Sequence, residues 1–455
     1  MRRVIGLFVW LAVWALYAGT WLAARAGGAL VSRRTLRPGE RRTLIVTGRF
    51  FSANWAKSHL LPLARAGAIE HLIAVVDGPI EGLDPRVEVR PSPRWIAAMF
   101  GRNAARFIGL LSAAMRARPA AIMGYHLFPA GMAALVAARM CGARAIYQST
   151  GGVLEVLGGG AGCENAVLSR LNGPSAALER WVKSLCRQFD CIIARGQSAK
   201  RYFLDECGAR DVAVIGGSID TACLAQGDAE RDIDIVFVGR LTDIKQPEQV
   251  VEIVAKLQMQ NEECRMQNGS LVTSSSPAPT NPGRIRATFV GDGPMLHSLQ
   301  QLARSRGVDS LVHFAGHVER GEEYLSRSRV FLLTSRSEGL SIAMAEAMAA
   351  GCVPIVANVG DLGEIVENDV TGWLVTPNSI AEYATRVAGV LSDSNAWSRL
   401  SSAARERARS NNGLEAVTAR WDELFTRLCP KPATQHEAEV SKAPVTKSRT
   451  EALQS

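Results

Sequence analysis

The chain has 455 residues, 47% of them hydrophobic and 21% charged, a composition that suits two globular domains with appendages. Its nine cysteines are scattered, odd in number and never paired as CxxC, which excludes a disulfide framework or a cysteine zinc site and reads as free thiols in a reducing compartment. A net charge of +9 suits nucleic acid or an anionic membrane; because the arginines cluster near the N-terminus, the membrane is expected as partner and nucleic acid is not.

The first predicted element, Val4 to Ala24, is 21 residues without a charge. As a helix it would be about 31 Å long, roughly one bilayer core, and its three tryptophans with Tyr17 suit interfacial anchoring. Arg2 and Arg3 precede it, while Arg25, Arg33, Arg34, Arg37, Arg41 and Arg42 follow it. The heavier positive side stays inside, so residues 1–27 read as a single-pass anchor in an inner or cytoplasmic membrane with the bulk of the protein cytoplasmic. A cleaved signal peptide is the alternative, with "ARA" at 24–26 as the cleavage site.

Next, "RTLIVTG" (42–48), "HLIAVV" (71–76), "AAIMGYH" (120–126), "ARAIYQS" (143–149), "CIIARG" (191–196) and "DVAVIGG" (211–217) read as strands alternating with helices such as "AGMAALVAARMCG". The alternation implies a parallel, doubly wound sheet over 41–225. A polar stretch at 221–232 interrupts it, and the same alternation resumes over 230–395 from "IDIVFVGR". Residues 261–283, rich in Ser, Pro and Asn, read as a surface insertion. Residues 396–429 read as closing helices with Trp397, Trp421, Leu424 and Phe425 as apolar anchors, and 430–455 as a disordered tail.

Two loops carry the chemistry. In "SEGLSIAMAEAMAAG" (337–351), Ser341 is a good N-cap, Ile342 to Ala350 are helix formers, and Gly351 with Pro354 stops the helix. Flanked by "RVFLLTS" and "VPIVA", this is a strand, loop, helix and strand, and the loop lies where ligands of open α/β sheets bind. Gly339 admits a ligand to the backbone, and the amides of Leu340 to Ile342 face an anion. Glu338 and Glu346 on either side of that helix start suggest a ligand with both phosphate and hydroxyl groups; the alternative puts Glu346 on a solvent face. In "VGRLTDIKQPEQ", Arg240 and Lys245 sit after a strand and suit a diphosphate, or else form a solvated basic loop.

Taken in order, "GRLTDIK", "FVGDGP", "FAGHV", "SEGLSIAMAEAMAAGCVPIVA" and "GDLGEIVENDVTGWLV" resemble the C-terminal half of GT4-type retaining glycosyltransferases, the glycosyl transferases group 1. The resemblance implies the GT-B fold: α/β, with two Rossmann-like doubly wound domains facing a cleft. It implies that Glu338 faces the donor sugar, that Glu346 binds ribose hydroxyls, that Arg240 and Lys245 hold the donor diphosphate, and that the backbone at Val318 reads the base, with Gly291 also lining the pocket. His126 matches a histidine near the donor sugar, although a histidine at a strand end is as often structural.

A nucleoside-diphosphate sugar would be the donor and a lipid-linked or saccharide hydroxyl the acceptor, in surface polysaccharide, lipopolysaccharide or glycolipid synthesis. Neither a cofactor nor a metal is expected. The first loop offers only Gly48 where the family has a glycine pair, and "QSTGG" stands where a second histidine is common, so the acceptor side departs from the pattern. No Walker A, HExxH or GxGxxG sequence supports ATP, zinc-hydrolase or nicotinamide chemistry. A sugar-nucleotide epimerase on the same architecture and a non-catalytic membrane-tethered scaffold remain the alternatives.

Overall fold

A computed structural model describes residues 2–50, 53–163, 165–220, 224, 230–267 and 284–431. Helix α1 (Arg2–Leu30) leads into strands β1 (Thr43–Thr47), β2 (His71–Val76), β3 (Val87–Pro91), β4 (Ala121–Tyr125), β5 (Arg144–Gln148), β6 (Cys191–Ala194) and β7 (Val212–Val214). All seven are parallel, in the order β3-β2-β1-β4-β5-β6-β7. Around them lie α2 (Ala53–Arg65), α3 (Arg94–Phe100), α4 (Arg102–Ala117), α5 (Met132–Cys141), α6 (Ala176–Cys186) and α7 (Gln197–Asp205). The central strands β1 and β4 are buried at every position, as strands covered on both faces must be. Strand β3 was not foreseen: "VEVRP" is short and half-exposed, and its Pro91 is tolerated because β3 is the sheet edge.

The second sheet repeats the design with β8 (Ile233–Val238), β9 (Ala287–Val290), β10 (Val312–Gly316), β11 (Ser328–Leu333), β12 (Val353–Ala357) and β13 (Trp373–Val375), in the order β10-β9-β8-β11-β12-β13. Its helices are α8 (Glu248–Gln267), α9 (Leu296–Ser305), α10 (Glu322–Ser326), α11 (Ile342–Ala349), α12 (Ile380–Ser392) and α13 (Ser394–Asn412). Helix α8 continues through Gln267, so the expected insertion is helical over Asn261–Gln267; its remainder at 268–283, and the tail from 432, lie outside the described residues.

Helix α14 (Leu414–Leu428) follows α13 but packs on the first sheet, where Val417, Trp421, Leu424 and Phe425 join the core with Leu60, Leu63 and Ile193. Burial of each large side chain contributes about 1.5 to 3 kcal/mol, which ties the end of the chain to the N-terminal sheet. Asp422 adds a hydrogen bond from the Ala68 amide at 2.6 Å, and Arg427 an ion pair with Asp211 at 2.7 Å.

Residues Ile5–Leu30 of α1 are long and apolar enough to cross a membrane. The helix is nevertheless not a free-standing anchor, because one side of it is built into the N-terminal core. Val13, Tyr17 and Ala24 are buried, the Tyr17 hydroxyl donates to the Gly159 carbonyl at 3.1 Å, and Trp10 Nε1 donates to Ser175 at 3.0 Å. Trp14 and Trp21 both meet Trp181 edge-on. The other side exposes Ile5, Leu7, Phe8, Leu11, Leu16 and Leu22.

Candidate functional site

In each sheet the strand order reverses between the first strand and the fourth in sequence, β1 and β4 or β8 and β11. Loops leaving the carboxyl ends of such a pair diverge and open a crevice. The expected residues fall at both crevices.

In the second sheet, Arg240 and Lys245 follow β8 while Glu338 follows β11. Lys245 Nζ pairs with Glu338 Oε1, and the Ser335 hydroxyl donates to the same oxygen at 2.7 Å. The two loops are stitched together: Thr334 Oγ1 donates to the Gln246 carbonyl at 2.8 Å, and the Arg336 amide to the Ile244 carbonyl at 2.9 Å. Lys245 therefore has a fixed position beside a carboxylate, and Arg240 is exposed at the crevice rim.

Ser341 caps α11 as the sequence predicts: its backbone is extended and its side chain accepts from the Met344 amide at 3.3 Å. Glu346 lies in the second turn and is half-buried. Burial, with Glu322 nearby as a second cause, raises its carboxyl to about 7. Leu340 and Ile342 send side chains towards Gly216 and Gly217, where an added Cβ would lie 3.1 Å from Leu340 and 2.7 Å from Ile342, so the helix start abuts the chain leaving the first sheet.

Gly339 has room for a side chain, with Arg195 atoms 3.6 Å from an added Cβ. The glycine this loop does require is Gly360, whose φ is 58° and whose Cβ would stand 1.8 Å from the Glu338 carbonyl. Gly291 is required likewise: its φ is 137° and a Cβ there would lie 2.0 Å from the Gly239 carbonyl. Val318 is half-buried, packed on the core beneath α11.

His126 ends β4 with φ 61° and ψ 146°, a strained backbone for a residue with a side chain. Its Nδ1 lies 3.1 Å from Glu155 Oε1 and 2.7 Å from the Thr150 hydroxyl. Glu155 is buried and accepts from the Leu127 amide at 2.6 Å, the Gly151 amide at 2.5 Å and the Tyr147 hydroxyl at 2.8 Å. Burial alone would raise this carboxyl; the His126 charge and the hydrogen bonds to it outweigh burial and hold it below its ordinary value. A buried carboxylate and the Thr150 hydroxyl, which also lies 2.9 Å from Nε2, thus fix the imidazole.

Arg195, at the end of β6, joins the two crevices. It lies beside Gly339, its Nη1 donates to the Thr150 carbonyl at 3.3 Å, and its buried Nε finds no acceptor among the described residues. Burial lowers its basicity, and Glu338 and Glu155 act against that from opposite sheets. Sequence reasoning missed Glu155, Thr150, Tyr147 and Arg195, because β5 and the loop after it supply the first three and the end of β6 the fourth, some 20 to 70 positions from His126.

An apolar cavity of about 290 Å³ is walled by Leu16 of α1, Phe107 of α4, Met132 and Val136 of α5, and Phe128, two residues after His126 in the chain.

Residues 225–407 match the family model described as glycosyl transferases group 1. A glycogen synthase of Mycobacterium tuberculosis is 27% identical over 256 residues, 55% of this chain and 56% of that protein, so the match spans about half the length of that relative. A GDP-mannose-dependent alpha-(1-6)-phosphatidylinositol monomannoside mannosyltransferase of the same species is 35% identical over 151 residues, 31% of this chain and 37% of that protein. The crystal structure of Anabaena HepE in complex with UDP and glucose superposes with a TM-score of 0.65 at 16% identity, covering 85% of this chain and 100% of that one. The likeness shows a shared GT-B fold.

Proposed function

We propose that this chain, whose residues 225–407 belong to the glycosyl transferases group 1, is a glycosyltransferase that moves a sugar from a nucleoside diphosphate to an acceptor hydroxyl with retained configuration. The observation that carries this reading is the meeting of Lys245, Glu338 and Arg195 between two switch-point crevices, with the His126–Glu155 pair opposite. In this reading the donor lies on the second sheet. Glu346 accepts from the ribose hydroxyls, Val318 and Gly291 border the base, and Gly339 to Ile342 border the phosphates.

Arg240 and Lys245 stabilise the departing diphosphate, whose oxygen takes the proton of the incoming hydroxyl on the same face of the sugar. The bond to the acceptor oxygen forms as the bond to the diphosphate breaks, so configuration is retained. His126, oriented by Glu155, borders the sugar, and Glu338 positions Lys245 and the sugar hydroxyls. Charge on the leaving group is met by side-chain cations, so the reaction calls for no metal or cofactor.

The acceptor is lipid-linked, as in surface polysaccharide, lipopolysaccharide or glycolipid synthesis. Two features support that choice: the apolar cavity between α1, α4 and Phe128, and the outward apolar face of α1, which holds the protein at the inner or cytoplasmic membrane. Six arginines after the helix favour the cytoplasmic side for both sheets.

The test is release of nucleoside diphosphate from a panel of nucleotide sugars, with and without a lipid-phosphate acceptor. Acceptor-dependent release is expected. Conversion of the nucleotide sugar to its epimer without net release would favour an epimerase, and neither release nor conversion with intact nucleotide binding would favour a scaffold.

A further inference from the structure

The membrane-type helix α1 ends over a cavity of about 630 Å³ that plays no part in the site above. Trp21, Ala24, Gly28 and Ala29 of α1 form one wall, and Arg25, Arg33, Arg139, Arg187 and Arg210 converge on it. Among the described residues, no acidic one lines it. Asp190, which pairs with two of the lining arginines, is itself shared: Arg33 pairs with it, Arg139 approaches at 3.2 Å and Arg144 at 3.6 Å, and the Ala145 amide donates to it at 2.9 Å. One negative charge therefore meets three guanidinium groups, while Arg25, Arg187 and Arg210 add to the same sign.

A second observation points the same way. Gln188 lines the cavity, and its buried Nε2 donor finds no acceptor among the described residues, although buried polar groups are normally satisfied. Burial disfavours the charge of Arg139, as do Arg33 and Arg210 close by, while Asp190 alone acts against them; a bound anion would act in the same sense as Asp190. Arg25 also stacks over Trp21 at 4.8 Å, which puts a cation and an amphipathic ring together at the end of an apolar helix, the arrangement suited to the boundary between hydrocarbon and headgroups.

We propose that this cavity binds the phosphate of an anionic membrane lipid, with the Arg25, Arg139, Arg187 and Arg210 guanidinium groups and the Gln188 amide around the headgroup and the lipid chains running along the exposed face of α1. The proposal does not depend on the glycosyl-transfer reading. Its consequence is that the protein seats on anionic bilayers in one orientation, with a defined lipid bound outside the reaction crevice.

The full chain, purified in a neutral detergent, would be titrated by calorimetry with dihexanoylphosphatidylglycerol, dihexanoylphosphatidylcholine and inorganic phosphate. The anionic lipid should bind more tightly than the zwitterionic lipid and than phosphate alone. Arg25→Ala with Arg210→Ala should weaken it about thirtyfold, the loss expected of two arginines beside a lipid phosphate. Gln188→Leu should weaken it in the same sense with no charge removed. Arg284→Ala with Arg304→Ala, which removes equal charge from the second domain, should leave it unchanged. Melting temperatures identify any variant that is not folded. Equal binding of the two lipids, an equal loss in the remote variant, or phosphate binding as tightly as the anionic lipid would overturn the assignment.

Discussion

The two sheets share one topology and assemble their halves of the crevice differently. On the second sheet, Glu338, Ser341 and Glu346 come from one continuous loop and helix, and Lys245 meets them through a loop hydrogen-bonded to theirs. On the first sheet, the neighbours of His126 arrive from the loop after β5 and from β6, with Glu155 buried at the centre. Chemistry held by local spacing tolerates a change of one side chain with a change in function alone. Chemistry held by a buried carboxylate should lose stability as well.

The largest expected effect tests that contrast on the first sheet. Glu155→Ala leaves two amides, the Tyr147 hydroxyl and His126 without their shared acceptor, and should cost about 3 to 5 kcal/mol of stability, as removal of one member of a buried charged network does. Chemical denaturation measures it; a loss below about 1 kcal/mol, the scale of an ordinary exposed pair, would mean that the network is not buried in solution. On the second sheet, Lys245→Ala should instead lower kcat about a hundredfold or more with little change in melting temperature, since the group acts as charge develops on the diphosphate. Steady-state kinetics with varied donor would detect it, and an intact kcat would remove Lys245 from the proposed reaction.

A smaller effect separates Glu346 from Lys245. Glu346→Gln should weaken nucleoside diphosphate binding by about 1.5 to 3 kcal/mol, the value of hydrogen bonds to a charged acceptor, and raise KM rather than lower kcat. Because the Glu346 carboxyl is raised to about 7, the folded protein retains a proton that the unfolded chain has released between the ordinary carboxyl range and neutrality. Its ionisation therefore lowers stability as pH rises through that window. Nucleotide binding, which uses the carboxylate, should strengthen as pH rises through about 7. Calorimetry across that range should show the rise in the natural protein and lose it in Glu346→Gln. The smallest expected effect is none: chelation of divalent ions with EDTA should leave the transfer rate unchanged, because Arg240 and Lys245 supply the charge in the proposed mechanism.

What was legible in the sequence follows the same divide. The N-cap at Ser341 was readable because capping needs only the next few residues, and the parallel strands because full burial leaves an unbroken apolar run. The apolar length of α1 was equally plain, whereas its seat on α5 and α6 was not. Neither were the Glu155 network, the place of Arg195 between the sheets, or the arginines gathered from α1, α5 and the ends of α6 and α7. Those features join residues tens to more than a hundred positions apart. Whether they meet depends on strand order and on which face each crossover helix covers, and no local propensity encodes either.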